Sequence, residues 1–134
     1  GLVGDNQGTV NNSYSISSVT GEWYVGGLVG DNDSLGIVSN SYACGSVNGY
    51  SFVGGLVGSN WGTVSNSFWD INTSGVNESD GGTAKPTAEM NDIATFSGAG
   101  WNIIEVVSGQ TNPAYIWNIV TSQAYPFISW QPVS

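Results

Sequence analysis

Two aspartates occupy equivalent positions in repeated stretches of this chain, and paired carboxylates are the groups that could perform acid–base chemistry here. Asp5 and Asp31 each follow the phrase Gly-Leu-Val-Gly, and Asp33 lies close to the second of them. Stacked repeats would hold the two carboxylates about 5 Å apart, which is the separation in retaining glycosidases. The third copy of the phrase is followed by Ser59, and the chain has no His and only one Lys or Arg. We therefore expect solvated turn residues, and we predict that the chain is not an enzyme.

A second acidic segment resembles the opening of a calcium-binding loop. Oxygen-bearing side chains alternate from Asp70 onward, and Gly75 stands at the sixth position, as in the loops that bind this ion. The twelfth position lacks the bidentate glutamate of an EF-hand, and turn formation by Asp, Asn and Ser explains the segment about as well. Calcium is thus the one candidate cofactor. Its candidate ligands are Asp70, Asn72, Ser74, Glu78 and Asp80.

Aromatic residues offer a third kind of site. Trp23 and Trp61 fall in predicted turns, where an exposed ring could stack on a sugar or pack against a neighbouring chain. By contrast, Trp101, Trp117 and Trp130 lie in apolar runs and are expected in the core of the C-terminal region. Sequons that permit glycosylation, where the source organism performs it, begin at Asn11, Asn32, Asn72 and Asn77.

The charge balance excludes several functions. The net charge is −9 and only 8% of the residues are charged, so the chain cannot neutralise phosphates and is not expected to bind nucleic acid. An anionic membrane surface would repel it, and no apolar run has the length of a membrane helix. Because Cys44 is the only cysteine, an internal disulfide and a Cys/His zinc site are both excluded, and a small buried thiol is expected.

The elements that must position these residues are repeats. Gly-Leu-Val-Gly begins at residues 1, 27 and 55, and a fixed period of this length indicates stacked structural units. Short apolar runs bounded by Gly, Asn, Asp and Ser predict three short strands per unit. The glycines that end the phrase are expected to supply a positive φ or a close backbone approach. The predicted ladders are Leu2/Leu28/Leu56, Val10/Val38/Val64, Tyr14/Tyr42/Phe68, Asn6/Asn32/Asn60 and Asn12/Asn40/Asn66.

The composition changes after Phe68, where the repeats end. We predict a mainly β chain, with a β-solenoid (parallel β-helix-like) of about three coils over residues 1–69. Residues 70–134 are predicted to form a C-terminal α+β capping region, with one short helix over Pro86–Ala94 and two or three strands. The chain opens partway through a repeat, which is typical of a mature product or of a piece of a longer array.

The repeated phrase, with the following Gly-x-Val and Asn-Ser-Tyr, resembles the GLUG motif of bacterial and archaeal cell-surface proteins, including filamentous-haemagglutinin-like adhesins. The resemblance covers residues 1–69 and implies an extracellular setting. Its implied function is a non-catalytic structural or adhesive module. Alternatives are a self-assembling subunit of an extracellular filament or sheath and a carbohydrate-binding module. Expected partners are protein (the chain itself or neighbouring repeats) or host and cell-surface glycans.

Overall fold

The fold is mainly β, with parallel strands. The computed structural model describes residues 1–131. These form two compact units, residues 1–86 and the residues from Thr87 onward, and each unit is considered by itself.

The first two repeats each contain five strands rather than the three that we predicted. Asn12 and Asn40, with φ of 50° and 48°, turn the chain in the left-handed region and so split the second predicted strand in two. Residues 1–26 contain β1 (Val3–Asn6), β2 (Thr9–Asn11), β3 (Tyr14–Ser15), β4 (Val19–Thr20) and β5 (Trp23–Gly26). Residues 27–54 contain β6 (Val29–Asn32), β7 (Ile37–Ser39), β8 (Tyr42–Ala43), β9 (Val47–Asn48) and β10 (Ser51–Gly54).

The third repeat is followed by a segment that still belongs to the first unit. The third repeat contains β11 (Val57–Asn60), β12 (Thr63–Ser65) and β13 (Phe68–Asp70). The segment after it contains α1 (Ile71–Ser74) and β14 (Thr83–Lys85). The unit extends to Pro86, beyond the predicted boundary at residue 69, because β14 pairs in parallel with β13.

Each strand pairs in parallel with the equivalent strand of the next repeat. The sheets are β1-β6-β11, β5-β10, β2-β7-β12, β4-β9 and β3-β8-β13-β14. The register matches Val3 to Val29 and Val29 to Val57, so residues with the same place in the repeat lie above one another. Side-chain amides follow the same alignment: Asn6 Nδ2 donates to Asn32 Oδ1 at 2.9 Å, and Asn32 Nδ2 donates to Asn60 Oδ1 at 2.9 Å.

The core of this unit lies between the sheets, and its leucine ladder is unevenly covered. Leu28 and Leu56 are 0% exposed and pack with Val38, Ala43 and Trp69. Leu2, at the same place in the first repeat, is 52% exposed, because no strand of the described chain pairs with the outer edge of β1.

The glycines that end the repeated phrase do not have the positive φ that we allowed for. None of Gly4, Gly30 and Gly58 lies in the left-handed region. A Cβ at Gly30 or Gly58 would instead come within 2.5 Å of a carbonyl oxygen, that of Tyr24 or Phe52 respectively. Close backbone approach is thus the reason for glycine at these two positions, whereas a Cβ at Gly4 would meet nothing within 4 Å.

Within its described residues, the second unit contains two short helices where we predicted one, together with three strands. The Asp92 side chain accepts a hydrogen bond from Ala94 N and caps a second helix there, which divides the predicted helix. Trp101 and Trp117 are buried as expected, but Trp130 is 74% exposed; its predicted core position was wrong because it lies in a turn after the last strand. The elements are α2 (Thr87–Met90), α3 (Ile93–Ser97), β15 (Ile103–Glu105), β16 (Trp117–Ile119) and β17 (Phe127–Ile128).

Candidate functional site

An exposed group of four aromatic residues, here named the aromatic strip, is the most distinctive surface of the first unit. Tyr24 and Phe52 stack with ring centroids 4.8 Å apart and an interplanar angle of 2°. Beside them Trp23 and Tyr50 have ring centroids 6.5 Å apart. The exposed fractions are 59% for Trp23, 46% for Tyr24, 86% for Tyr50 and 52% for Phe52. Side chains of this size are normally buried, so a contiguous exposed group indicates a contact surface.

Strands β5 and β10 position this strip through an unusual backbone conformation. Tyr24 and Phe52 both have a φ of 54°, a left-handed value that costs a bulky residue about 1–3 kcal/mol. Their carbonyl groups point toward Gly30 and Gly58, where a Cβ would come within 2.5 Å of the oxygen. The close packing that glycine permits therefore holds the strained aromatic pair in place.

A cleft opens at each end of the stacked pair. The Phe52 cleft, of about 590 Å³, is lined by Phe52, Val53, Gly58, Trp69, Asn77, Glu78, Ser79 and Asp80. The second, of about 270 Å³, lies beside Trp23 and Tyr24 at the first repeat. Of these two clefts, the Phe52 cleft combines aromatic side chains with carboxylate and amide groups, which can orient a polar ligand by hydrogen bonds.

The two tryptophans predicted as ligand-binding residues lie apart. Trp23 belongs to the aromatic strip, whereas Trp61 is 76% exposed in the turn between β11 and β12 and makes no ring contact with another described aromatic residue. Because one isolated ring offers a small surface, Trp61 is a weaker candidate than the strip.

The carboxylate ladder changes character from repeat to repeat. Asp5, Asp31 and Ser59 are aligned in the register; Asp5 is exposed, Asp31 is half-buried and Ser59 is 4% exposed. Burial raises the pKa of the Asp31 carboxyl above its ordinary value, and the charges of Asp5 and Asp33 raise it further, while a hydrogen bond with Ser59 opposes this. The uncharged residue thus occupies the most buried position, as desolvation requires.

Some of the predicted calcium ligands form hydrogen bonds within the protein. Asp70 is fully buried and its Oδ1 accepts hydrogen bonds from Asn72 N and Thr73 N, so that it caps α1. Ser74 Oγ donates to Val76 O, and Asp80 Oδ2 accepts from Asn60 N. Among residues 1–131 no group of three or more His, Cys, Asp or Glu side chains is placed to hold a metal ion. Calcium binding stays a prediction from the sequence.

The remaining predicted residues differ in accessibility. Asn11, Asn72 and Asn77 are exposed. Asn32 is 0% exposed and its amide bonds to Gly36 O and Asn60 Oδ1, an arrangement that argues against glycosylation at Asn32 in the folded protein.

Cys44 is half-buried and forms no disulfide. Burial and the nearby Asp70 charge raise the pKa of its thiol to about 11, so the thiol stays protonated and unreactive at neutral pH.

Sequence reasoning missed Tyr24, Tyr50 and Phe52. One signal could have found two of them: Tyr24 and Phe52 hold the same place in consecutive repeats, so stacking of equivalent residues predicts that their rings meet. The exposure of the pair could not be predicted, because it depends on the left-handed backbone.

Comparison with known proteins gives one relative. A protein of Evansella cellulosilytica, called a Gly-rich membrane protein, is 41% identical over 129 residues, which cover 94% of this chain and 11% of that protein. The chain therefore corresponds to a small part of the relative's length. No family model matches the chain, and no solved structure does. Within residues 1–131, the helices are all too short or too polar to cross a membrane.

Proposed function

We propose that residues 1–86 form a β-solenoid of about three coils, of the GLUG-repeat kind, in a non-catalytic structural and adhesive module of an extracellular cell-surface protein. The observation that carries this proposal is the register of the repeats, in which equivalent strands, leucines and asparagine amides lie above one another. Most of the distinctive residues of the repeat are thereby used to build a stack, and the exposed ones form a contact surface.

The electrostatics support a non-catalytic role. The aligned carboxylates Asp5 and Asp31 have no His or Arg beside them, since the chain contains neither, and its one basic side chain is Lys85. Acyl transfer of the Ser-His-Asp kind therefore has no histidine base here. The carboxylates Asp5 and Asp31 are the pair that glycoside hydrolysis would use, but they line neither of the clefts described above. Only 8% of the residues are charged, and the many uncharged Ser, Thr, Asn and Gly residues suit contact with other macromolecules outside the cell.

Surface labelling tests this proposal. We expect an antibody raised against the whole chain to label intact cells of the producing organism as strongly as permeabilised ones, and external protease to remove the label. Labelling that requires permeabilisation would contradict the extracellular assignment.

The open edge of the first repeat favours a second role, in assembly. In the described chain no strand pairs with the outer edges of β1, β2, β3 and β4, and unpaired edges recruit further strands. The third repeat, in contrast, is hydrogen-bonded by residues 78–80 and by β14. Growth in both directions would require displacement of that segment, which disfavours an open-ended filament of this chain.

Light scattering after size-exclusion chromatography tests the assembly role. We expect a concentration-dependent dimer of the chain, and a monomer when Thr9→Pro removes a donor from the outer edge. Thr9 holds the place of Ile37 and Thr63, whose N–H groups donate to the preceding repeat. A monomer at every concentration would contradict self-assembly, and open-ended polymers would restore the filament alternative.

A further inference from the structure

We propose that the Phe52 cleft binds a neutral sugar ring, with the aromatic strip extending the site along a polysaccharide chain. This deepens the proposed adhesive role, on which it rests, by naming the class of ligand. The site combines the exposed Phe52 ring and the edge of the largely buried Trp69 with two carboxylates and one amide, all within the first unit.

The ring face comes from the stacking of the aromatic pair. Tyr24 covers one face of Phe52, with the ring planes 2° from parallel. The opposite face lies toward the third repeat, where Phe52 lines the cleft with Gly58 and residues 77–80. Phe52 makes no other ring contact with a described residue. A pyranose has an apolar face of C–H bonds that fits flat against such a ring, and hydroxyl groups around its edge that do not.

The polar groups stand where those hydroxyls would reach. Asn77 and Glu78 are exposed, and no other described residue forms a side-chain hydrogen bond with them. The backbone of Glu78 is nevertheless anchored, because its carbonyl accepts from Gly55 N at 2.8 Å. Asp80 is held by Asn60 N, which donates to its Oδ2 at 2.7 Å. Ionised carboxylates only accept hydrogen bonds, and sugar hydroxyls donate them.

The size of the cleft agrees with this ligand class. At about 590 Å³ it lies within the range of about 300–1,000 Å³ that is typical of small-molecule sites. At the other end of the stacked pair, Tyr24 and Trp23 line the second cleft, and Trp23 contacts Tyr50. A polysaccharide that follows the stacked pair out of the Phe52 cleft therefore meets further aromatic side chains.

Charge selects among sugars. The cleft contributes Glu78 and Asp80 and no cation, and the whole chain has a net charge of −9. Uronic acids and sulfated sugars would meet like charge there, so the ligand is neutral.

A cationic peptide is the competing ligand, because carboxylates and aromatic rings also attract ammonium groups. Cation-binding aromatic sites surround the charge with rings on several sides. In this cleft Phe52 is the exposed ring, because Trp69 also lines it but is only 5% exposed. The rings beside Phe52 lie parallel or to the side. The flat arrangement therefore favours the sugar.

The experiment is affinity electrophoresis of the whole chain in native gels that contain hydroxyethylcellulose, galactomannan or polygalacturonate, followed by calorimetry on any neutral polymer that retards it. We expect at least one neutral polymer to retard the chain and polygalacturonate not to retard it. In calorimetry, we expect the affinity for the neutral polymer to change little in 0.5 M NaCl, since screening weakens only charge attraction.

Three variants locate the site. Phe52→Asn removes the ring, and Asn tolerates the left-handed backbone, so we expect affinity to fall about tenfold or more with the fold retained by circular dichroism. Phe52→Tyr keeps the ring, and Tyr24 shows that tyrosine adopts this conformation; we expect its affinity to stay within about twofold. Trp61→Ala is the matched control, since Trp61 is an exposed ring outside the strip.

The outcomes separate the alternatives. If no neutral polymer retards the wild-type chain, the sugar site is overturned. The proposed cell-surface module is tested separately, by surface labelling. Equal binding by Phe52→Asn, or loss only in Trp61→Ala, would also overturn it. Binding to poly-L-lysine alone would assign the cleft to a cationic peptide, and a change from dimer to monomer in Phe52→Asn would assign it to a second copy.

Discussion

The two ends of the repeat stack have the same sequence motif but opposite structural situations. At the first repeat Leu2 is 52% exposed, whereas its equivalent Leu56 in the third repeat is 0% exposed. The difference is made by residues 76–85, which have no counterpart in the described chain at the other end. An identical motif can therefore be core or surface, and what covers it decides which.

The covering segment works by replacing the hydrogen bonds of a missing repeat. Leu28 N donates to Leu56 O between the second and third repeats, and at the next level Leu56 N donates to Ser79 Oγ. Gly55 N similarly donates to Glu78 O where Gly27 N donates to Gly54 O. Strand β14 then adds a fourth level to the sheet of β13. An irregular segment thus closes the stack with little regular structure of its own.

The largest expected effect is on the leucine ladder itself. Leu28→Ala leaves a cavity between repeats and should reduce the free energy of unfolding by about 2–5 kcal/mol. Leu2→Ala, at the exposed end, should change it by less than about 1 kcal/mol. Urea unfolding of both variants measures the difference, and equal losses would show that the first repeat is covered in solution.

A smaller effect is expected at the closed end. Ser79→Ala removes an acceptor for Leu56 N and Val57 N, which leaves buried donors unpaired at a cost of about 1–3 kcal/mol. Ser18→Ala, an exposed serine of the first repeat, is the matched control and should be neutral. If both substitutions are neutral, residues 76–85 do not close the stack.

Calcium binding would stabilise only one end of the stack, since its predicted ligands run from Asp70, the last residue of β13, to Asp80. Binding at ten times Kd would stabilise the fold by about 1.4 kcal/mol, seen as a higher melting temperature in millimolar Ca²⁺ than in chelator. Glu78→Gln tests calcium binding more specifically than Asp70→Ala does, because Asp70 also caps α1. A melting temperature that calcium does not change would remove calcium from the account.

The smallest effect concerns Asp31, the middle residue of the carboxylate ladder. The pKa of Asp31 is raised in the folded state, so the folded protein binds more protons than the unfolded chain. Protonated Asp31 therefore contributes to the free energy of unfolding at low pH, and this contribution is lost as the pH rises through the raised pKa. Asp31→Asn should therefore raise the melting temperature at neutral pH and have little effect near about pH 3. Glu22→Gln, an exposed carboxylate, is the control; a destabilised Asp31→Asn would contradict this sign.

Repetition explains what the sequence could predict. Leu28, Val38 and Tyr42 were expected in ladders because their repeat positions coincide, and all three are buried. The segment over residues 76–85 could not be recognised as part of the stack, because it has lost the repeat pattern. The strip was missed for a different reason: a φ of 54° at Tyr24 and Phe52 opposes the local preference of aromatic residues and is imposed by packing against Gly30 and Gly58.

Hydrogen exchange measured by mass spectrometry tests the difference between the two ends most directly. The comparison is between equivalent strands, Val3–Asn6 and Tyr14–Ser15 at the first repeat against Val57–Asn60 and Phe68–Asp70 at the third. We expect the third-repeat strands to exchange as slowly as those of the second repeat and the first-repeat strands to exchange faster, since unpaired edges open locally. Equal exchange at the two ends would contradict a stack that is closed on one side and open on the other.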